Sequence, residues 1–163
     1  MATQLKNLSD FSHTSIPDAS PYTFAIAVAE WNAEITGALY QGALNTLLKH
    51  GVKEENITSV SVPGSFELTG AAELILNKHP HLDGVICLGC IIQGETRHFD
   101  FICDAVAHGL TQVGIKHNKP VIFGVLTTND QQQAIDRAGG KHGNKGDEAA
   151  ITAIKMAELA ATI

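Results

Sequence analysis

Residues Gly84-Val85-Ile86-Cys87-Leu88-Gly89-Cys90-Ile91-Ile92 form an unbroken apolar run rich in β-branched side chains, and Gln93-Gly94-Glu95-Thr96-Arg97-His98 follows at once. A short continuous run bounded by a turn signal reads as a strand covered on both faces. Beyond it, Phe99, Ile102, Cys103, Val106, Leu110 and Val113 recur at spacings of one, three and four, which predicts a helix from near Thr96. A strand that runs into a helix is the first half of a βαβ unit.

The same alternation continues in both directions. Residues 22–29, 57–62 and 121–126 read as three further strands, each followed by a helical pattern. Residues 32–50 place Ile35, Ala38, Leu39, Ala43 and Leu47 on one helix face, with Asn32 suited to the N-cap and Gly51 to the stop. A second helix from Ser65 buries Leu68, Ala72, Ile75 and Leu76 and ends against Lys78, His79 and Pro80. Residues 130–138 form a short helix, Gly139 and Gly140 break it, and an Ala-rich helix over 145–161 closes the chain. Alternation of this kind predicts an α/β three-layer sandwich, a parallel sheet of four strands with helices on both faces. The continuously apolar third and fourth runs are expected to be central or doubly covered. Polar residues separate Ile57, Val60 and Val62, which places the second run nearer an edge. Residues 1–21 hold little to bury and read as an N-terminal arm, leaving 22–163 as the domain.

A length of 163 residues suits one domain, which buries about 70% of its unfolded surface at this size. With 44% apolar and 17% charged residues, composition excludes disordered and fibrous classes. No window approaches the ~18 apolar residues of a membrane span, so a membrane is not an expected partner. The net charge of −6 lacks the basic field that attracts a phosphate backbone, so nucleic acid is not expected either. Cys87, Cys90 and Cys103 are an odd number in a chain able to build a core unaided, which fits a reducing cytoplasm.

In an open parallel sheet, ligands bind beyond the carboxyl ends of the strands. That rule selects Glu30-Trp31-Asn32, Pro63-Gly64-Ser65-Phe66-Glu67, the stretch from Cys90, Ile91 and Ile92 through Gly94 to His98, and Thr127-Thr128-Asn129. Gly94 lets the backbone approach a ligand, and free amides at Glu95, Thr96 and Arg97 would open a helix, which together make an anion site beside His98. The plainer alternative is that Thr96 caps the helix and His98 is a solvated first-turn residue. Trp31 and Phe66 at strand ends offer stacking surfaces for a planar ring, or a lid on the core.

Other motifs fail on context. Cys87-Leu88-Gly89-Cys90 matches C-x-x-C, but residues three apart in a strand point to opposite faces. The segment from Gly139 to Gly146 follows a helix, and its Lys145 precedes Gly rather than Ser or Thr, so it is not a phosphate loop. The eight His lack partners at ligand spacing, and neither a metal nor a cofactor is expected.

In order along the chain, Trp31-Asn32, Pro63-Gly64-Ser65-Phe66-Glu67, Gly94-Glu95-Thr96-Arg97-His98-Phe99, Phe123-Gly124-Val125-Leu126-Thr127-Thr128 and Arg137-Ala138-Gly139-Gly140-Lys141-His142-Gly143-Asn144-Lys145-Gly146 resemble the lumazine synthase family. The resemblance runs from about Phe24 to Ala161 and implies a flavodoxin-like fold. It also implies condensation of 5-amino-6-(D-ribitylamino)uracil with 3,4-dihydroxy-2-butanone 4-phosphate in riboflavin biosynthesis. By that resemblance Trp31, Asn32, Ser65, Phe66, Glu67, Cys90, Ile91, Ile92 and Phe123 would hold the pyrimidine and its ribityl chain. Gly94, Glu95, Thr96 and Arg137 would hold phosphate, and His98 would carry the proton. Trp31 stands where many members have Phe, and Gln93 where many have Arg or Lys.

Arg137 lies about seven residues into a helix leaving the carboxyl edge, roughly 10 Å away at 1.5 Å per residue. The resemblance accounts for this by giving Phe123 and Arg137 to a neighbour's pocket within a homopentamer. It also implies an arm that pairs with a neighbouring subunit and, in some members, an icosahedral capsid. A flavodoxin-like module that binds a flavin or nucleotide without chemistry would use the same loops, and a shell protein is a third reading.

Overall fold

The computed structural model describes residues 7–163, so residues 1–6 of the expected arm lie outside the described residues. Strand β1 (Phe24–Ala29) leads into α1 (Ala33–Lys49), β2 (Ile57–Val62) into α2 (Leu68–Lys78), β3 (Gly84–Ile92) into α3 (His98–His117), and β4 (Val121–Thr128) into α4 (Gln131–Arg137). A small antiparallel pair, β5 (Ala138–Gly140) with β6 (Gly143–Asn144), then turns the chain into α5 (Lys145–Thr162). Gly139 and Gly143 sit at φ +104° and +84°, a region where side chains are strained, which explains the glycines of this hairpin.

The main sheet runs β2-β1-β3-β4 with parallel pairing throughout, a flavodoxin-like order. Side-chain alternation builds two cores. Phe24, Ile26, Ile86, Leu88 and Cys90 pack with Leu39, Leu47 and Ile154 of α1 and α5. Ala25, Ala27, Val85 and Cys87 pack with Leu68, Leu76, Val106 and Leu110 of α2 and α3. Cys87 and Cys90 therefore lie on opposite sides of the sheet, as their spacing requires. On the α1 side, Asn144 ties the layers: its Oδ1 accepts from the Gly146 amide at 2.8 Å, and its Nδ2 donates to the Ala38 carbonyl at 2.9 Å. Gly146 allows this contact, since a Cβ there would meet the Leu39 carbonyl.

β2 is an edge strand, as its pattern required, and β4 is the other edge, where α3 and α5 pack on its two faces, in keeping with the doubly covered alternative, while Phe123 and Thr127 stay exposed. Two elements differ from the expectations. The helix expected from Thr96 begins at His98, and Thr96 Oγ1 accepts from the His98 amide at 3.4 Å. The helix expected from Ser65 begins with a single 3-10 turn, Ser65–Glu67, before α2. Among the described residues, no helix is long and apolar enough to cross a membrane.

Candidate active site

In the order β2-β1-β3-β4 the chain reverses direction between β1 and β3, and the crevice beyond their carboxyl ends is where such sheets bind ligands. A cavity of about 180 Å³ occupies that position, lined by Trp31, Asn32, Ser65, Phe66, Cys90, Ile91, Ile92, His98 and Ile102. Three of the selected loops meet there. Trp31 is 68% exposed and Phe66 is 56% exposed, large rings held in solvent at strand ends.

Close approach of backbone explains the glycines around this cavity. A Cβ on Gly64 would lie 2.8 Å from Trp31 Cε3 and 3.1 Å from Glu67 Oε2, so the indole edge and the carboxylate both lie against the bare backbone there. A Cβ on Gly89 would lie 2.5 Å from Ser65 Oγ, so the gap in β3 receives the buried Ser65. Cys90 is buried, and burial pushes its thiol up to about 11, which leaves it a neutral floor residue rather than a nucleophile.

Gly94, Glu95, Thr96 and Arg97 form an exposed loop ahead of α3. Among the described residues, no intrachain hydrogen bond occupies the amides of Glu95, Thr96 or Arg97. A Cβ on Gly94 would meet nothing within 4 Å, so the space beside these amides is open to an anion. Arg97 turns away to Asp100, 3.4 Å from its Nε, with 85% of its side chain exposed.

Phe123 and Arg137 lie elsewhere. They line a separate cavity of about 490 Å³ on the outer side of β4, together with Thr127, Lys141, His142, Lys145 and Glu148. Arg137 is held rigidly there: Nη1 donates to the His142 carbonyl at 2.9 Å, and Nη2 lies 2.7 Å from Glu148 Oε1. Lys145 Nζ also reaches Glu148, at 3.1 Å. Glu148 was not singled out in the sequence, since an acid in the first turn of a helix is favoured by the helix dipole whatever else it touches. Its spacing of three from Lys145 is the one local signal, and Arg137 is brought to it only by the β5–β6 hairpin.

Asn32 stands at the expected N-cap position of α1 but does not cap with its side chain. Its backbone is left-handed, at φ 60° and ψ 46°, and its side chain makes no capping bond. A capping side chain needs an extended backbone at that position. Here Nδ2 instead donates to the Cys90 carbonyl at 3.0 Å, across the crevice from β1 to β3.

Residues 21–161 match the family described as 6,7-dimethyl-8-ribityllumazine synthase. The chain is similar to a protein of that name from Cytophaga hutchinsonii, with 61% identity over 163 residues that span 100% of both chains. It is also similar to one from Parabacteroides distasonis, 55% identical over 162 residues, covering 99% of this chain and 100% of that protein. A third, from Phocaeicola vulgatus, is 52% identical over 160 residues, 98% of this chain and 94% of its own.

Proposed function

The chain belongs to the 6,7-dimethyl-8-ribityllumazine synthase family and is a transferase of riboflavin biosynthesis, and from that premise we propose that each of its active sites is built from two neighbouring subunits. It condenses 5-amino-6-(D-ribitylamino)uracil with 3,4-dihydroxy-2-butanone 4-phosphate, releasing phosphate and water to give 6,7-dimethyl-8-ribityllumazine. The observation that carries the proposal is the division of the site residues between two cavities with no lining residue in common. A cavity of about 180 Å³ is too small alone for two such substrates, since ligand sites run from ~300 to 1,000 Å³. Placing a neighbour's β4 edge over it supplies the missing wall.

In that arrangement Trp31 and Phe66 stack against the pyrimidine, and the neighbour's Phe123 closes the other side. Ser65 and Glu67, with the backbone of Cys90, Ile91 and Ile92, hold the ring and ribityl chain. Gly94 and the free amides of Glu95 and Thr96 take the phosphate, and the neighbour's Arg137 clamps it with the guanidinium N–H groups that His142 and Glu148 leave free. The substrate amine attacks the ketone and a first water leaves as the C=N bond forms, phosphate is then eliminated, and the ribitylamino nitrogen closes the ring on the remaining carbonyl with loss of a second water. Orientation supplies most of the acceleration, and His98 moves protons between the reacting atoms.

On this reading residues 1–21 are an arm and 22–163 the catalytic domain. The free edge of β2 is where a neighbour's arm would pair as an added strand. A pentameric ring brings each β4 edge to the next crevice, and the tight β5–β6 hairpin is compatible with icosahedral packing of such rings. Three free cysteines support a cytoplasmic location. The direct test combines both substrates with the protein and follows lumazine absorbance and phosphate release, with sedimentation of the same sample. Product formation by a pentamer or a multiple of it is expected, and full turnover by a sedimenting monomer would refute the shared site.

A further inference from the structure

We propose that Asn32 is a positioning residue whose side-chain amide fixes the width of the crevice and thereby seats Trp31 for the pyrimidine, a role that rests on the reading of Trp31 as the stacking ring. The strand ladder shows why a tie is needed. The last β1–β3 pair is Val28 with Leu88, so Cys90, two residues on and facing the same edge, has lost its strand partner. β3 nevertheless continues beside β4 as far as Ile92 with Thr128. At this point the sheet splits on the β1 side and forms the crevice. Nδ2 of Asn32 satisfies the Cys90 carbonyl at 3.0 Å and bridges the split.

The backbone of Asn32 makes the bridge possible. Left-handed φ 60° costs a side chain strain, and Asn tolerates it better than most residues. That turn lets the Asn32 carbonyl accept from the Ile35 amide at 2.8 Å and the Thr36 amide at 3.0 Å, starting α1, while its side chain crosses to β3. Trp31 is held between this residue and β2: its amide donates to the Pro63 carbonyl at 3.1 Å, and its ring lies against Gly64. The tie therefore links the floor at Cys90, the start of α1 and the one Trp of the chain. The resemblance puts Asn32 among the pyrimidine contacts; the geometry points to an action through Trp31 and Cys90 instead.

Two variants separate the tie from general structure. Asn32→Gly permits the left-handed backbone and removes the amide. Asn32→Asp keeps the shape but sets a carboxylate against the carbonyl, two acceptors with no proton between them. A protonated carboxyl regains an O–H that can donate to Cys90. The probe is quenching of Trp31 emission by the pyrimidine substrate alone, each variant compared with the unaltered protein at the same pH. At about pH 8 both variants are expected to bind the pyrimidine ~10- to 100-fold more weakly, the scale of a lost stack of a base on an aromatic ring, while the KM for the phosphate substrate stays within about twofold. As pH falls through the carboxylate range toward about 4, Asn32→Asp recovers relative to the unaltered protein and Asn32→Gly does not. Should Asn32→Asp fail to fold, the split between pyrimidine and phosphate substrate in Asn32→Gly decides alone. Binding within twofold of the unaltered protein in both variants at the higher pH, or no difference between them at the lower, overturns the tie. If the pyrimidine does not quench Trp31 in the unaltered protein, it is the stacking reading that falls, and the tie's role with it.

Discussion

Mixing two impaired variants tests the shared site most directly. Arg137→Ala removes the charged donor held by Glu148 and His142, and hydrogen bonds to charged groups contribute about 1.5–3 kcal/mol, a loss of roughly 10- to 150-fold in kcat/KM for the phosphate substrate. Trp31→Ala removes a ring that is 68% exposed in the free chain, and base stacking on such rings is worth ~1–3 kcal/mol, a similar loss. The two residues line different cavities, so each variant keeps one half of the machinery intact. When the two chains are unfolded together and allowed to coassemble in equal amounts, a site is whole if its crevice comes from an Arg137→Ala chain and its β4 edge from a Trp31→Ala chain. Half times half makes about one quarter of the sites whole in a head-to-tail ring. The assay is lumazine formation against the mean of the separately refolded parents, with native mass spectrometry to confirm mixed rings. Mixed rings no more active than that mean would show that Trp31 and Arg137 serve the same chain, and the shared site would fall.

His98→Ala should retain measurable turnover with kcat lowered by no more than ~10² to 10⁴, since a positioned proton carrier contributes that much; loss of all detectable product in steady-state assays would assign His98 a larger role. Gly146→Ala forces a Cβ into the Leu39 carbonyl, and overpacking of this kind costs about 3 kcal/mol, a fall in Tm of ~6–12 °C by calorimetry; an unchanged Tm would show that α1 and α5 part freely. The Glu73 carboxylate is held at about 2, below its ordinary 4.5, first by the Lys116 ammonium and then by Asn77 and His117. Its contribution is complete above pH 4.5 and is lost as pH falls through about 2, so the urea midpoints of the unaltered protein and Glu73→Gln should differ by a constant amount above 4.5 and converge toward 2. A gap that persists unchanged through that range would refute the ion pair's role.

Periodicity reports which faces of an element are covered, and in that respect the chain was legible. The β3 run sits inside the sheet, the polar-spaced β2 run lies at its edge, and Cys87 and Cys90 divide between the two cores. Lateral position is a different property. β4 is as apolar as a central strand because helices pack on both of its faces, yet it lies at the edge of the sheet with Phe123 and Thr127 exposed. The crevice residues Trp31, Ser65, Phe66 and Cys90 to Ile92 follow from the strand-end rule, whereas the distance of Arg137 from that crevice was legible only as a helix length. The N-cap position of Asn32 was legible but its left-handed backbone was not, since Asn suits an extended cap and a left-handed turn alike, and its side chain is turned from capping to a carbonyl 58 positions away. Glu148 was hidden for the same reason, its partner arriving through the β5–β6 hairpin.

The open β4 edge has a consequence for timing. On the proposed assembly a newly made chain is finished as a fold yet silent as a catalyst, and it acquires turnover only by colliding with another like itself. Output per chain would then rise with abundance before levelling off, so a scarce supply of chains would yield almost no product and a modest increase in expression a disproportionate amount. The stretch that joins two subunits also sets the threshold at which the reaction begins.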